Sequence, residues 1–113
     1  MKRGDLVTIA VGGDYGKPRP ALVAQADAFS ELSGVTVLGL TSELHDWPTF
    51  RVTVEPTTQN SLRKASQVMI DRAVTLPRAN VGPAFGRLDA ATMTEVGRAL
   101  AAFLGLDGLA IER

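Results

Sequence analysis

Apolar positions along this chain come in short runs broken by glycine, proline and charge, a rhythm that predicts strands more than helices. Leu6–Val11 is β-branched and apolar, and reads as a first strand. Ala21–Ala26 reads as a second, expected to pair with the first as a wide hairpin. Asp27–Gly34 carries a predicted helical turn, with Asp27 as N-cap and Gly34 as its stop. Val35–Leu40 is almost continuously apolar, which predicts a strand buried on both faces. After the polar excursion Thr41–Pro48, the segment Arg51–Glu55 alternates, with Val52 and Val54 on one face and Arg51, Thr53 and Glu55 on the other. Thr57–Lys64 is a predicted loop carrying Arg63 and Lys64. Gln67–Arg72 and Val74–Leu76 read as strand interrupted by a bend, Arg78–Pro83 as a loop, and Phe85–Leu88 as a last short strand.

The period changes once. Asp89 is a predicted N-cap, Met93, Val96, Leu100, Phe103 and Leu104 follow helical spacing, and Gly105 stands at the C′ position. Asp107–Arg113 is a tail. Many short strands with one terminal helix predict a mainly β (α+β) fold, a strongly bent antiparallel sheet or small barrel. No repeat, low-complexity segment or linker divides the 113 residues, so 1–113 is expected to be one domain with one core.

The loop between the first two strands is more constrained than a hairpin tip requires. Gly12, Gly13, Asp14 and Gly16 suit positive φ and local side-chain hydrogen bonding. Pro18 and Pro20 then push Lys17 and Arg19 into extended geometry, two apart and on one side of the chain. A rigid arginine at a strand's mouth is suited to gripping a phosphate. Lys17 reads as an auxiliary phosphate contact or a solvated lysine. The loop lacks the Gly-Lys-Ser/Thr ending of a P-loop and leads into a strand. It reads either as a flexible tip or as a flap over substrate with Tyr15 as a stacking platform.

Composition narrows the classes. Twelve acidic and twelve basic residues cancel, so a polyanion site must come from local clustering, with Lys17, Arg19, Arg63 and Lys64 the candidates to line one groove. The absence of cysteine excludes disulfides, thiol catalysis and Cys-ligated metal. The single His45 excludes a two-histidine acid–base mechanism within one subunit and makes a His-rich metal site implausible. The N-terminus predicts neither a signal peptide nor a membrane span, so a cytoplasmic protein is expected.

Lys17-Pro18-Arg19-Pro20-Ala21-Leu22-Val23, preceded by Arg3-Gly4-Asp5-Leu6-Val7, resembles the opening of the MazF/PemK toxins of bacterial toxin–antitoxin systems. Leu40-Thr41-Ser42 and Gly86-Arg87-Leu88 fall where that family has its equivalents, so the resemblance spans nearly the whole chain. It implies a small SH3-like barrel, a homodimer, and metal-independent cleavage of single-stranded RNA. It implies 2′,3′-cyclic phosphate and 5′-hydroxyl products, no cofactor, and a cognate antitoxin whose acidic, disordered segment folds over Arg19. RNA supplies its own nucleophile, the 2′-hydroxyl, so a protein need only orient it, move protons and stabilise a pentavalent phosphorane.

On that reading Arg19 is the transition-state cation, against the plainer role of a surface arginine in a turn. Thr41 and Ser42 sit where a buried strand meets a polar loop. Their hydroxyls could donate to a nonbridging oxygen or cap backbone groups, and the resemblance favours the former. Asp71 is either half of a surface ion pair with Arg72 or, as the resemblance implies, a base or orienting group. Where some members carry a basic residue two positions before that aspartate, this chain has Met69, which shifts weight to Arg19. His45 and Trp47 are loop residues or RNA contacts, Trp47 by base stacking. Ser42, His45 and Asp46 are too close in sequence to form a hydrolase triad. Two rivals remain: a gyrase poison of the related CcdB type, whose Trp-Gly-Ile terminus is replaced here by Ala110-Ile111-Glu112-Arg113, and a non-catalytic binding barrel.

Overall fold

Among the described residues of the computed structural model, 1–10 and 17–108, six strands pair into one sheet. They are β1 (Asp5–Ala10), β2 (Pro18–Val23), β3 (Gly34–Thr41), β4 (Arg51–Val54), β5 (Ser66–Pro77) and β6 (Val81–Arg87). Their spatial order is β4-β5-β3-β2-β1-β6, and each neighbouring pair is antiparallel. The loop predicted at Gly12–Gly16, with its Tyr15, and the tail from Leu109 onward lie outside the described residues.

The central strands are apolar on both faces because both faces are covered. Leu6, Leu22, Leu38, Val68 and Ile70 belong to one core cluster, while Val7, Ala21, Val23, Val35 and Val37 belong to a second. Neighbours in sequence thus point to opposite clusters, as the pleat requires. Each fully buried Val or Leu contributes about 1.5–3 kcal/mol relative to exposure. The expectation for Val35–Leu40 holds.

The sheet bends until its two edges approach. The connection between β4 and β5 folds back onto β6, where the Arg87 N–H donates to Gln59 O at 3.1 Å. Asn60, only 3% exposed, knots this connection. Its Oδ1 accepts from Thr57 N–H and Leu62 N–H, and its Nδ2 donates to Glu55 O. Gly86 lies so close beneath that a Cβ there would stand 2.3 Å from Asn60 O. This contact needs glycine for space, and it gives the sheet its barrel-like closure.

The helix α1 (Ala90–Phe103) packs on β4 and β5. Asp89 is its N-cap: the carboxylate accepts from Thr92 N–H at 3.3 Å and from the Thr92 hydroxyl at 2.5 Å. Gly105 takes the left-handed conformation at φ +72° that ends the helix. Val96 is fully buried in the first core cluster, and Met93, Ala99 and Leu100 pack against that cluster. Phe103 and Leu104, expected in the same stripe, are instead 53% and 56% exposed, because the stripe outruns the core it covers.

Several boundaries differ from the sequence expectation. β2 begins at Pro18, three residues early, since its first part needs a partner only in β1: pairing with β3 starts at Ala21 opposite Gly39. A proline on an open edge has no donor to leave unsatisfied. The two predicted pieces around Ala73 are one long strand, β5. β6 starts at Val81, and the loop expected at Arg78–Pro83 shrinks to a 3₁₀ turn, Arg78–Asn80. Asp27 does not cap the 3₁₀ turn Asp27–Phe29; its carboxylate accepts from Arg3 N–H at 2.7 Å instead.

Candidate functional site

Three strands and one loop supply the polar side chains of the main cleft. β2 presents Arg19 on its exposed, proline-flanked segment, opposite Ile9 of β1. β3 delivers Thr41 at its end, next to Ser42. β5 contributes through a bulge. Leu38 pairs with Ala73 and Leu40 with Val68, so a two-residue step along β3 spans five residues of β5. The surplus frees Met69 and Arg72 from pairing with β3, and both line a cleft. Gly39, opposite, makes room: a Cβ there would stand 2.9 Å from Met69 Cε.

The resulting cleft, about 560 Å³, is lined by Arg19, Pro20, Thr41, Ser42, Met69 and Arg72. A second cavity of about 290 Å³ shares Thr41, Met69 and Arg72 with it and adds Glu43, His45, Trp47 and Arg51. The two therefore adjoin. Arg19, Thr41 and Ser42 are brought together in the larger one, and His45 and Trp47 line the smaller. Thr41 Oγ1 accepts from Glu43 N–H at 3.0 Å, which shapes the turn and leaves its own O–H able to donate outward.

Other expected residues lie elsewhere. Lys17 is exposed before β2, and Arg63 and Lys64 are exposed before β5; none lines either cavity. Asp71 lines neither. Its Oδ2 is 3.7 Å from Arg72 Nε, and its Oδ1 is buried with no hydrogen-bond partner among the described residues. Its link to the cleft is the contact with Arg72, which lines both cavities. Tyr15 lies outside the described residues.

Three residues that sequence reasoning left unassigned complete the site. Arg72 carries charge into both cavities. Gln67, 4% exposed, holds the loop after β3: its Oε1 accepts from His45 N–H at 3.1 Å, and its Nε2 donates to His45 O at 2.8 Å and to Thr53 Oγ1 at 3.1 Å. Arg51 places its guanidinium 4.8 Å from the Trp47 ring centroid. The alternation of Arg51–Glu55 puts Arg51 on the polar face, but no local signal separates a solvated arginine from one under a loop.

The loop carries an aromatic stack. The rings of His45 and Trp47 lie 3.8 Å apart and within 2° of parallel, and Phe50 stacks on Trp47 at 5.4 Å. His45 Nε2 also meets Glu43 Oε1 at 3.3 Å. One face of Trp47 is thus already covered by His45. Among the described residues no group of three or more His, Asp or Glu side chains could hold a metal ion, and no helix is long and apolar enough to cross a membrane.

Comparison with known proteins agrees with this architecture. A probable endoribonuclease MazF from Mycolicibacterium smegmatis is 42% identical over 109 residues, covering 96% of this chain and 100% of that protein. Among solved structures, an endoribonuclease in complex with its cognate antitoxin from mycobacterial species superposes with a TM-score of 0.77 at 26% identity, covering 94% of this chain and 96% of that one. The Mycobacterium tuberculosis toxin MazF-mt6 gives the same TM-score, 0.77, at 25% identity over 91% of this chain and 98% of its own. Residues 2–104 match the family described as the PemK-like, MazF-like toxin of type II toxin–antitoxin systems, and the chain belongs to that family.

Proposed function

We propose that this toxin-family endoribonuclease cuts single-stranded RNA by attack of a 2′-hydroxyl on the adjacent phosphorus. The 2′-O–P bond forms as the P–O5′ bond breaks. The 2′-hydroxyl loses its proton and the departing O5′ gains one, which leaves a 2′,3′-cyclic phosphate and a 5′-hydroxyl. The observation that carries this reading is that Arg19 and Thr41, from different strands, line one open cleft.

Each side chain has a role suited to its chemistry. Arg19 stabilises the charge that builds on the nonbridging oxygens and stands ready to protonate O5′. Thr41 and Ser42 donate hydroxyl hydrogens to the same phosphate. Arg72 adds charge at the cleft wall, and Asp71 orients it. None of these steps calls on a cofactor.

The cleft of about 560 Å³ is small for several nucleotides, which supports a groove shared by two subunits of a homodimer. The partner is an antitoxin with an acidic, disordered segment that folds over Arg19 and blocks the cleft. Both act in the cytoplasm, where the RNA is. A labelled single-stranded RNA incubated with the protein and excess EDTA tests the reading directly. Cleavage to cyclic-phosphate ends is expected; intact RNA across varied sequences would overturn it.

A further inference from the structure

We propose that the smaller cavity is a flanking-phosphate subsite, in which Arg51 binds the backbone phosphate next to the one that is cut. The proposal rests on the RNA-cleaving reading above for its substrate and adds a binding residue to it.

The observation is an underused cation. Arg51 Nε and Nη1 are buried and have no hydrogen-bond partner among the described residues. Its contacts are the faces of Trp47 at 4.8 Å and Phe50 at 6.0 Å. Across the ladder its partner is Met69, which offers no carboxylate. The other charged groups of the cavity are engaged: Glu43 meets His45, and Arg72 meets Asp71. A guanidinium stripped of water on two nitrogens, with no ion-pair partner among the described residues, attracts an anion at its remaining nitrogen more strongly than a solvated one would. The cavity it lines adjoins the Arg19 cleft through Thr41, Met69 and Arg72, so a strand whose phosphate sits at Arg19 can place a neighbouring phosphate here. A base is the poorer fit, because one donor nitrogen cannot make the paired contact by which arginine reads guanine.

The test is a methylphosphonate scan, which removes the charge of one linkage at a time. Binding to the full chain is read by fluorescence anisotropy on an oligonucleotide with 2′-deoxyribose at the cut position. The wild-type protein should lose about tenfold or more when a linkage beside the cut one is neutralised. Arg51→Gln should bind the all-phosphate strand about tenfold less tightly, whatever its base sequence, and should lose nothing further at that linkage. Its salt slope should fall by about 0.7, the value for one contact on a single strand. Arg51→Lys keeps the charge and should recover part of both, which a purely packing role would not produce. Should Arg51→Gln fail to fold, the scan on Arg51→Lys and the position of the sensitive linkage still decide.

An unchanged methylphosphonate penalty in Arg51→Gln, or a loss confined to certain base sequences, overturns the proposal. Normal RNA cleavage with such a result sinks the subsite alone. Binding that depends on Arg51 without any cleavage sinks the catalytic reading and leaves the subsite standing. Absence of RNA binding sinks both.

Discussion

Gln67 closes two hydrogen bonds on the backbone of His45, accepting from its N–H at 3.1 Å and donating to its carbonyl at 2.8 Å. A side chain on β5 thus does for the loop after β3 what a neighbouring strand would do. Gln67→Leu keeps the bulk and leaves both backbone groups without this partner. It should lower stability by about 1–3 kcal/mol. If the loop shapes the substrate groove, the KM for RNA should rise more than kcat falls. A urea melt and steady-state kinetics check both; an unchanged KM would show that the loop holds without this clamp.

Arg19 and Thr41 carry the catalytic reading. Arg19→Lys keeps the charge and loses the planar fork, so cleavage should slow on the order of 10²–10³-fold, by analogy with loss of one oxyanion donor. Thr41→Val should also slow cleavage with little effect on the fold. A 2′-deoxy substitution at the cut nucleotide should abolish cutting and leave binding largely intact. Cleavage of that strand at a normal rate would end the mechanism, and full activity in Arg19→Ala would remove its central residue.

Two glycines should respond to alanine for different reasons. At Gly86 the new methyl would meet Asn60 O at 2.3 Å and Asn60 C at 2.6 Å, so the β4–β5 connection must shift. A loss of about 1–3 kcal/mol is expected, as for overpacking. At Gly105 nothing among the described residues lies within 4 Å, but φ is +72°, so the cost is conformational, about 1–2 kcal/mol. Thermal melts of both variants check this. A neutral Gly86→Ala would mean that the edges of the sheet are not closed by this contact.

Two positions on α1 separate the buried part of its stripe from the exposed part. Val96 is fully buried, and Val96→Ala should cost a large share of the roughly 1.5–3 kcal/mol of a buried valine. Phe103 is 53% exposed, and Phe103→Ala should change stability by less than about 0.5 kcal/mol in the monomer. Equal losses at the two sites in chemical denaturation would show the helix rotated from its described position.

Asp89 gives a pH signature. Hydrogen bonds from the Thr92 side chain and then from its backbone N–H hold this carboxyl below its ordinary value of 3.8. A depressed acid contributes stability that is present above the ordinary value and is lost as pH falls through the lower, folded value. The acid limb of the stability curve should therefore flatten in Asp89→Asn, and the difference from wild type should be greatest above pH 3.8. Parallel curves down to low pH would place the cap elsewhere.

Much of this was readable from local chemistry. Strand periodicity, the Asp89 cap, the Gly105 stop and the doubly buried Val35–Leu40 run are dictated by neighbours in sequence. So is the stiffness of Arg19, which its two prolines impose. Family-like segments, read in order, also pointed to Arg19 and Thr41 as members of one site. What no local pattern could supply was set by contacts between distant segments. The bulge in β5 that turns Met69 and Arg72 toward the cleft arises from its register against β3, which two separate strands settle jointly. Gln67 reads as an ordinary polar strand residue until the loop after β3 folds over it. Arg51 reads as a solvated arginine until Trp47 closes on its guanidinium. Phe103 and Leu104 keep helical spacing yet stay exposed, because periodicity names a face of a helix and only packing decides how far the core beneath it extends.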